Sequence, residues 1–306
     1  MTESTEFDNA FHDDDPELDL DPIERVSREI RQAASTTSRR SAAVLVSRYY
    51  RYQQDRMAFA NQIRKLREAG EDVGVLIHFF DQSKTLEKQM ATLLTAWNKK
   101  NPIGQWAESQ RGIGPILSAA LLAHIDIERA ATAGAIWRFA GLDPTIKWGK
   151  GEKRPYNATL KVICWRIGDS FQKQWRKPDA YYGKLYRQRK LYEWRRDGRC
   201  TDPDSPDFGK VIREAEPIVK EAAKLALETR NIKDAELRRV YESGHLPDGR
   251  LNERAKRWPT KLFLAHLHHV MYVDRYGVEP PLPYPIAHLG HVHYLAPPDP
   301  DNILGQ

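Results

Sequence analysis

The chain has 306 residues, of which 41% are apolar and 29% charged, so its length and composition predict roughly two globular domains and exclude collagenous or wholly disordered proteins. No run of about 18 apolar residues occurs and the first residues are acidic, so we expect no membrane partner and no secretion signal. The two cysteines, Cys164 and Cys200, are too few for a disulfide framework. We therefore expect a cytoplasmic protein with reduced thiols.

Residues 1–38 form a predicted acidic head. Nine Asp and Glu residues and no Lys or Arg precede residue 23, so the net charge of +6 hides a much more basic remainder. The head has too little apolar surface to fold alone, and we expect it to be disordered. It could compete with nucleic acid for the basic remainder, or it could serve only for solubility.

Residues 39–100 are predicted to form a long antiparallel helical hairpin, a coiled coil. Apolar residues recur at alternating spacings of three and four, with Arg56 and Ser83 as polar interruptions and Gly70 in the turn. Because the apolar seam is narrow, we favour a projecting hairpin over two helices packed on a common core. The seam comprises Leu45, Tyr49, Tyr52, Phe59, Ile63, Leu66, Leu76, Phe79, Leu86, Met90, Leu93 and Trp97.

Residues 101–200 are predicted to form a helical nucleic-acid-binding domain that contains a helix-hairpin-helix. Gly112, Ile113 and Gly114 are followed at once by an Ala- and Leu-rich stretch, so backbone N–H groups at the start of a helix could bind a phosphate. The alternative is that the two glycines only permit a tight turn between packed helices.

The segment 147–199 carries sixteen basic residues against five acidic ones, with aromatic residues between them. Such a surface neutralises phosphates and offers rings to unpaired bases, whereas an ordinary solvated helix face would carry balancing acids three or four residues away. Trp165 lies in an apolar stretch and is expected to pack in the core. The residues predicted to bind RNA or DNA are Gly112, Ile113, Gly114, Lys147, Lys150, Lys153, Arg154, Tyr156, Asn157, Lys161, Arg166, Lys173, Arg176, Lys177, Tyr181, Tyr182, Lys184, Arg187, Arg189, Lys190, Arg195 and Arg196.

Residues 201–278 are predicted to form a helical C-terminal part, with helices near 210–229, 233–242 and 261–276 and a bend at Pro217. Residues 279–306 form a predicted Pro- and His-rich tail. The histidines of this region make a zinc site conceivable, but no cysteine or paired carboxylate lies nearby in sequence, so we predict no metal and no cofactor. These histidines are His266, His268, His269, His288, His291 and His293.

Two stretches carry a family resemblance. Gly112-Ile-Gly-Pro-Ile-Leu-Ser-Ala-Ala-Leu-Leu-Ala-His124 and Ile136-Trp-Arg-Phe-Ala-Gly-Leu-Asp-Pro144 resemble the C-terminal domain of bridge-RNA-guided insertion-sequence transposases. Tyr156-Asn-Ala-Thr-Leu-Lys161 and Tyr181-Tyr-Gly-Lys-Leu185 extend the similarity, with an echo in residues 289–294. Behind a two-helix hairpin, the same region also resembles the Nop domain of box C/D ribonucleoproteins. Tas proteins, the Nop-domain proteins of tandem interspaced guide RNA (TIGR) systems in phages and bacteria, combine both features.

The resemblance implies a guide-RNA-binding protein that recognises nucleic acid, expected to be DNA, through base pairing by its guide. The transposases carry a RuvC-like nuclease domain, for which this chain has no room, and a catalytic serine. Trp148 aligns with that serine, and the sequence supplies no base for the neighbouring Thr145. We therefore expect no catalytic residues and no enzyme activity.

Two alternatives remain open: a divergent transposase or recombinase, and a DNA-binding protein that needs no guide. The expected partners are guide RNA and target nucleic acid, and the hairpin could also support a homodimer. The expected location is the cytoplasm of a bacterium or a phage-infected cell, near the nucleoid.

Overall fold

A computed structural model describes residues 25–146, 148–149, 151–282 and 294–298. It is mainly helical over these ranges, which confirms the predicted fold class. The described residues divide into a hairpin unit, residues 25–105 with 115–124, and a basic unit, which comprises residues 106–114 and those from 125 onward. Within the described parts of the chain, no helix is long and apolar enough to span a membrane.

Among its described residues, the hairpin unit contains four complete helices: α1 (Arg28–Ser35), α2 (Arg39–Glu68), α3 (Gly74–Asn98) and α5 (Pro115–His124). α4 (Pro102–Ser109) begins in this unit and ends in the next. Ser27 and Ser38 cap α1 and α2 by accepting hydrogen bonds from the backbone N–H groups of Ile30 and Ser41. The head was expected to be disordered up to residue 38, and this is wrong for α1, because its cap and its buried Ala34 and Ser35 give it a packed side.

α2 and α3 pack as an antiparallel pair. The Phe59 and Phe79 rings stack at 6.1 Å near the turn, whereas Trp97 Nε1 donates to the Thr37 carbonyl oxygen at the opposite end, 3.0 Å away. α5 packs on both helices and α1 packs on α3. The hairpin therefore shares its core with two further helices, which corrects the expectation that it simply projects.

The seam of α3 differs in register from the prediction. Ile77 and Phe80 are buried in place of the predicted Leu76 and Phe79, and Phe79 is 49% exposed. The run from Val73 to Phe80 is apolar except for Gly74 and His78, so it contains two overlapping sets with helical spacing. The pattern alone could not choose between them.

The basic unit is built around its longest helix. Its helices are α6 (Ala133–Phe139), α7 (Ala158–Gln174), α8 (Tyr181–Arg196), α9 (Pro217–Thr229), α10 (Ala235–Glu242) and α11 (Asp248–Tyr276), with a 3₁₀ turn at Ile127–Arg129. α6, α7 and α8 all pack against α11. Their shared core is aromatic, with Phe263 of α11 next to the rings of Trp106, Phe171 and Tyr182 at 5.9, 5.6 and 5.2 Å.

The C-terminal helices differ from the prediction at two prolines. Pro217 is the first residue of α9 rather than a bend within it, a position at which the missing N–H has no helical partner to lose. α11 begins at Asp248 rather than near residue 261 and passes through Pro259, which is buried.

Residues 197–209, which connect α8 to the following helices, are tied into the basic unit. Asp197, which is fully buried, accepts a hydrogen bond from the Leu246 backbone N–H and pairs with the Arg199 guanidinium 2.9 Å away. Residues 201–278 lie in the same compact unit as residues 125–200, so the predicted boundary at residue 200 does not separate two bodies.

Candidate nucleic-acid interface

α7 presents a core face and a solvent face. Asn157 caps it by accepting a hydrogen bond from the Leu160 backbone N–H at 3.0 Å. Leu160, Ile163, Ile167 and Phe171 are buried at helical spacing. Asn157, predicted to contact nucleic acid, therefore uses its side-chain oxygen as a helix cap.

The solvent face of α7 carries a surface that sequence reasoning missed. Trp165 is 53% exposed and Val162 is 51% exposed, so the expectation that Trp165 packs in the core is wrong. Lys256 Nζ lies 4.8 Å from the Trp165 ring centre. Cys164 and Ile167 are three positions apart and share one face of the helix, and Trp165 does not fall on that face. Helical spacing would therefore have placed Trp165 off the core face.

α8 buries part of the aromatic set that was predicted to stack on bases. Tyr182 and Tyr186 are 1% and 3% exposed. Tyr182 shares a hydrogen bond with His266 Nδ1 at 2.8 Å, and the Tyr186 hydroxyl donates to Asn252 Oδ1 at 2.5 Å. The prediction that Tyr182 binds nucleic acid is therefore wrong, because its ring fills the core and its hydroxyl is engaged. Tyr181 is half-buried against the same histidine.

Several cations of α8 have partners inside the protein. Arg189 lies 2.6 Å from Glu193, Lys190 lies 3.5 Å from Asp248, and Arg196 lies 2.8 Å from Glu216. The acids of the last two pairs are Asp248 and Glu216. They lie outside segment 147–199, so counting the acids within that segment could not find them.

Arg187 and Lys184 are also engaged. The Arg187 guanidinium lies 5.0 to 6.0 Å from the rings of Trp175, Phe208 and Trp194. Lys184 Nζ donates to the Pro178 carbonyl oxygen. These predicted binders therefore also stabilise the basic unit itself.

A second group of cations is exposed and forms no ion pair with a carboxylate in the described part of the chain. Its members lie in the loop before α7, on its first turn, just after its end and near the end of α8. They are Lys153, Arg154, Lys161, Arg176, Lys177 and Arg195. Of the other predicted cations, Lys173 pairs with Asp169 at 3.0 Å and Arg166 is half-buried. Lys147 and Lys150 lie outside the described residues.

Cations and rings alternate in the loop before α7. Arg154 lies 5.8 Å from the centre of the Trp148 ring, and Lys161 Nζ lies 4.4 Å from that of Tyr156. Trp148 and Tyr156 meet edge to face at 6.4 Å, and Trp148 is 43% exposed. We call Trp148, Arg154, Tyr156 and Lys161 the ring-cation cluster. It offers positive charge beside an exposed ring, the combination that unpaired nucleotides require.

The neighbouring turn holds Thr145 against a carboxylate. Asp143 Oδ1 accepts hydrogen bonds from the Thr145 hydroxyl at 2.7 Å and its backbone N–H at 2.9 Å. The hydroxyl bond and then the backbone bond lower the pKa of Asp143. The turn passes Gly141 at φ +65°, where a Cβ would lie 2.9 Å from the Tyr156 ring.

The two glycines of the helix-hairpin-helix turn differ in backbone conformation and in the space around them. Gly112 has φ +104°, and a Cβ there would lie 3.0 Å from the Phe171 ring. Its carbonyl oxygen accepts a 2.5 Å hydrogen bond from Ser170. Gly114 is exposed, and a Cβ there would meet nothing within 4 Å. The Ile113 side chain is 4% exposed, so only its backbone remains for the predicted phosphate contact.

The described histidines of α11 are engaged within the basic unit. His266 Nε2 bonds the Leu295 carbonyl oxygen at 2.8 Å while Nδ1 meets Tyr182, and burial lowers the pKa of His266 to about 4. His268 Nε2 bonds the Ala130 carbonyl oxygen at 2.9 Å. Among the described residues, no group of three or more His, Cys, Asp or Glu side chains could hold a metal ion. His288, His291 and His293 lie outside that range.

Comparison with known proteins finds similarity in one segment of the chain. Residues 105–155 match the family model described as Transposase IS116/IS110/IS902 family. The matched segment includes the Gly112–Gly114 turn, α5, α6 and two of the four residues of the ring-cation cluster, Trp148 and Arg154. It confirms the expected relation to insertion-sequence transposases over a minor part of the chain. Searches of the curated proteins and of the solved structures find no match.

Proposed function

We propose that the chain binds a guide RNA and uses it to recognise nucleic acid, with DNA as the expected target, as in nuclease-free Tas proteins. The observation that carries the proposal is the group of six exposed cations that form no ion pair with a described carboxylate, two of which lie against the rings of Trp148 and Tyr156. A surface of this kind binds backbone phosphates and stacks unpaired bases without reading their sequence.

Base pairing by a bound RNA would supply the missing sequence specificity. The protein would act in the cytoplasm of a bacterial or phage-infected cell, close to the nucleoid. A homodimer is part of the proposal, and light scattering on the purified protein tests it directly.

The first experiment is extraction of nucleic acid from the purified protein. A guide-binding protein should release one discrete, short RNA population that is removed by ribonuclease. Only random fragments, or no RNA, would contradict guide binding and favour a DNA-binding protein that needs no guide.

The second experiment locates the interface by salt dependence. We expect Lys153→Gln with Arg154→Gln to weaken RNA binding and to lower the slope of log K against log salt by up to about two, since each lost phosphate contact removes roughly 0.7 to 0.9. Lys210→Gln with Lys224→Gln is the matched control, because both lysines are exposed and have carboxylate neighbours. Equal slopes in the two variants would move the interface elsewhere.

The family match favours a second candidate, a divergent transposase. The matched segment contains the Asp143–Thr145 turn, the region in which the resemblance implies a catalytic serine. We rank this candidate second, because an indole occupies the aligned position at Trp148 and the Thr145 hydroxyl is hydrogen-bonded to a carboxylate whose pKa is lowered.

A further inference from the structure

α11 carries a line of basic residues that the proposed interface does not use. Arg250, Arg254, Arg257 and Lys261 follow one another at spacings of four, three and four, which places them along one side of the helix. Arg230, at the end of α9, adds a fifth cation beside them. Sequence patterns gave no reason to separate these residues from the mixed charge of residues 201–278.

The arginines lie close enough to repel one another. Burial and then the charge of Arg230, followed by those of Arg257 and Arg254, lower the pKa of Arg250. Burial and the charge of Arg254 do the same for Arg257, which keeps enough exposed surface to reach a ligand. Guanidinium groups stay charged at any physiological pH, so the repulsion is present in the folded protein.

Among the described residues, the carboxylates that act on Arg257 are Glu253 and Glu193, and each is shared with another cation. Glu193 is 1% exposed and lies 2.6 Å from Arg189 and 3.4 Å from Arg254. Glu253 lies 2.6 Å from Lys256 Nζ. One buried carboxylate is thus shared by two guanidinium groups, and Arg250 forms no ion pair in the described ranges.

An exposed ring lies on α8 next to Glu193, the carboxylate that Arg254 contacts. Tyr192 is 46% exposed, with the guanidinium groups of Arg189 and Arg196 lying 4.5 and 5.4 Å from its centre. Arg189 connects Tyr192 to Glu193 and, through that carboxylate, to Arg254. The site therefore joins unbalanced positive charge to an aromatic platform.

The line of cations also leads toward the proposed interface. Burial lowers the pKa of Lys261, the charge of Asp143 raises it and the charge of Arg257 lowers it, so both residues lie near this lysine. Lys261 Nζ lies 4.3 Å from the centre of the Trp137 ring. Asp143 belongs to the turn beside the ring-cation cluster. A strand bound along α11 would arrive at that turn.

We propose that Arg250, Arg254 and Arg257, with Tyr192 and Arg230, form a second binding site, for a single-stranded nucleic-acid segment. The guanidinium groups bind successive phosphates and Tyr192 stacks on a base. The proposal rests on the proposed function and extends it from the α7 region to α11. A single strand fits better than free phosphate or an acidic peptide, because the site pairs several phosphate-binding groups with an exposed ring.

The test is fluorescence-anisotropy binding of a labelled single-stranded oligonucleotide, in RNA and DNA forms, across a salt series. Arg250→Gln with Arg257→Gln should weaken binding at least tenfold at low salt and lower the salt slope by roughly 1.4 to 1.8. Tyr192→Leu should weaken binding by about 5- to 150-fold and leave the slope unchanged, as expected for a lost stacking contact. Arg238→Gln with Arg239→Gln on α10 is the matched control and should bind like the wild type.

Stability provides a readout that does not depend on binding. Because the arginines repel one another, the Arg250→Gln, Arg257→Gln protein should unfold at the same or a higher temperature than the wild type in low salt. A weaker binder that is also less stable would indicate a structural role for these arginines and would overturn the proposal.

The outcomes separate this inference from the proposed function. Unchanged affinity and slope in the arginine variant, with normal wild-type binding and a lower slope in the Lys153, Arg154 variant, would overturn the second site alone. Loss of slope without any effect of Tyr192→Leu would overturn the stacking part and point to duplex or free-phosphate binding. A wild type that binds no oligonucleotide would overturn both proposals.

Discussion

Gly112 and Gly114 share one turn but face opposite constraints. At φ +104°, Gly112 occupies a region that disfavours any side chain, and a Cβ would press on the Phe171 ring. We expect Gly112→Ala to lower the free energy of unfolding by about 2 kcal/mol. Gly114→Ala should leave it unchanged, because nothing lies within 4 Å of the added atom and its φ is not positive. Urea unfolding of both variants tests the difference.

A larger side chain at Gly114 then tests the phosphate contact at this turn. If the backbone of the turn closely approaches a phosphate, Gly114→Val should weaken nucleic-acid binding without changing the fold. Wild-type affinity in this variant would leave only the packing role of the turn.

His266 makes stability depend on pH. Burial lowers its pKa to about 4, whereas in the unfolded chain it protonates near 6.5. Between these values the unfolded chain binds more protons, so stability is complete above about pH 6.5 and falls as the pH drops toward 4. At pH 5 the loss from His266 should be about 2 kcal/mol relative to pH 7. His266→Gln should remove that part of the acid loss in urea unfolding, and an undiminished loss would contradict the assignment.

The same residues explain why sequence reasoning misplaced parts of the candidate site. Tyr182 and Trp165 both lie in basic, aromatic stretches, yet Tyr182 is 1% exposed and Trp165 is 53% exposed. What separates them is the contact of α8 with Phe263 and His266 of α11, more than 80 positions away, which no local pattern contains. The exposed cations of the loop before α7 do not depend on such a contact, so the local excess of basic residues was enough to predict that they are exposed.

At the scale of elements, the hairpin was predictable because its period repeats over two long helices. The predicted range 39–100, with its turn at Gly70, agrees closely with the helices Arg39–Glu68 and Gly74–Asn98. The register within α3 was not predictable, since adjacent apolar pairs fit the same spacing. The last helix was predicted to begin at residue 261, but α11 begins at Asp248 and continues through Pro259, which is buried.

The hairpin holds a polar contact at its centre that should set its register. Glu87 accepts hydrogen bonds from Arg56 at 2.6 Å and from Gln53 at 3.1 Å, and both members of the ion pair are largely buried. We expect Glu87→Met alone to cost about 2 kcal/mol, because the Arg56 charge loses its carboxylate. Arg56→Met with Glu87→Met should regain most of that loss. A double-mutant cycle in urea measures the coupling, and additive effects would show that the pair does not interact.

At the scale of the whole molecule, the cations fall into two groups. The carboxylates at Glu193, Glu216 and Asp248 pair with cations of α8, whereas the loop before α7 and one side of α11 keep cations in excess. A chain selected only for stability gains little from clustered like charges, since their repulsion opposes the compact state. The excess is accounted for if a polyanion is bound, which is the common element of both proposals.

The whole protein should bind without cutting. In the one segment that matches a transposase family, the Thr145 hydroxyl donates its hydrogen to Asp143, and the lowered pKa of that carboxyl makes it a poor base for activating a nucleophile. We therefore expect no cleavage or strand transfer of guide-matched single- or double-stranded DNA in magnesium, manganese or zinc, measured on denaturing gels over several hours. Thr145→Val and His291→Ala with His293→Ala are the informative variants, because they remove the remaining hydroxyl and the histidines outside the described residues. Cleavage by the wild type that either change abolishes would replace the binding role with a catalytic one.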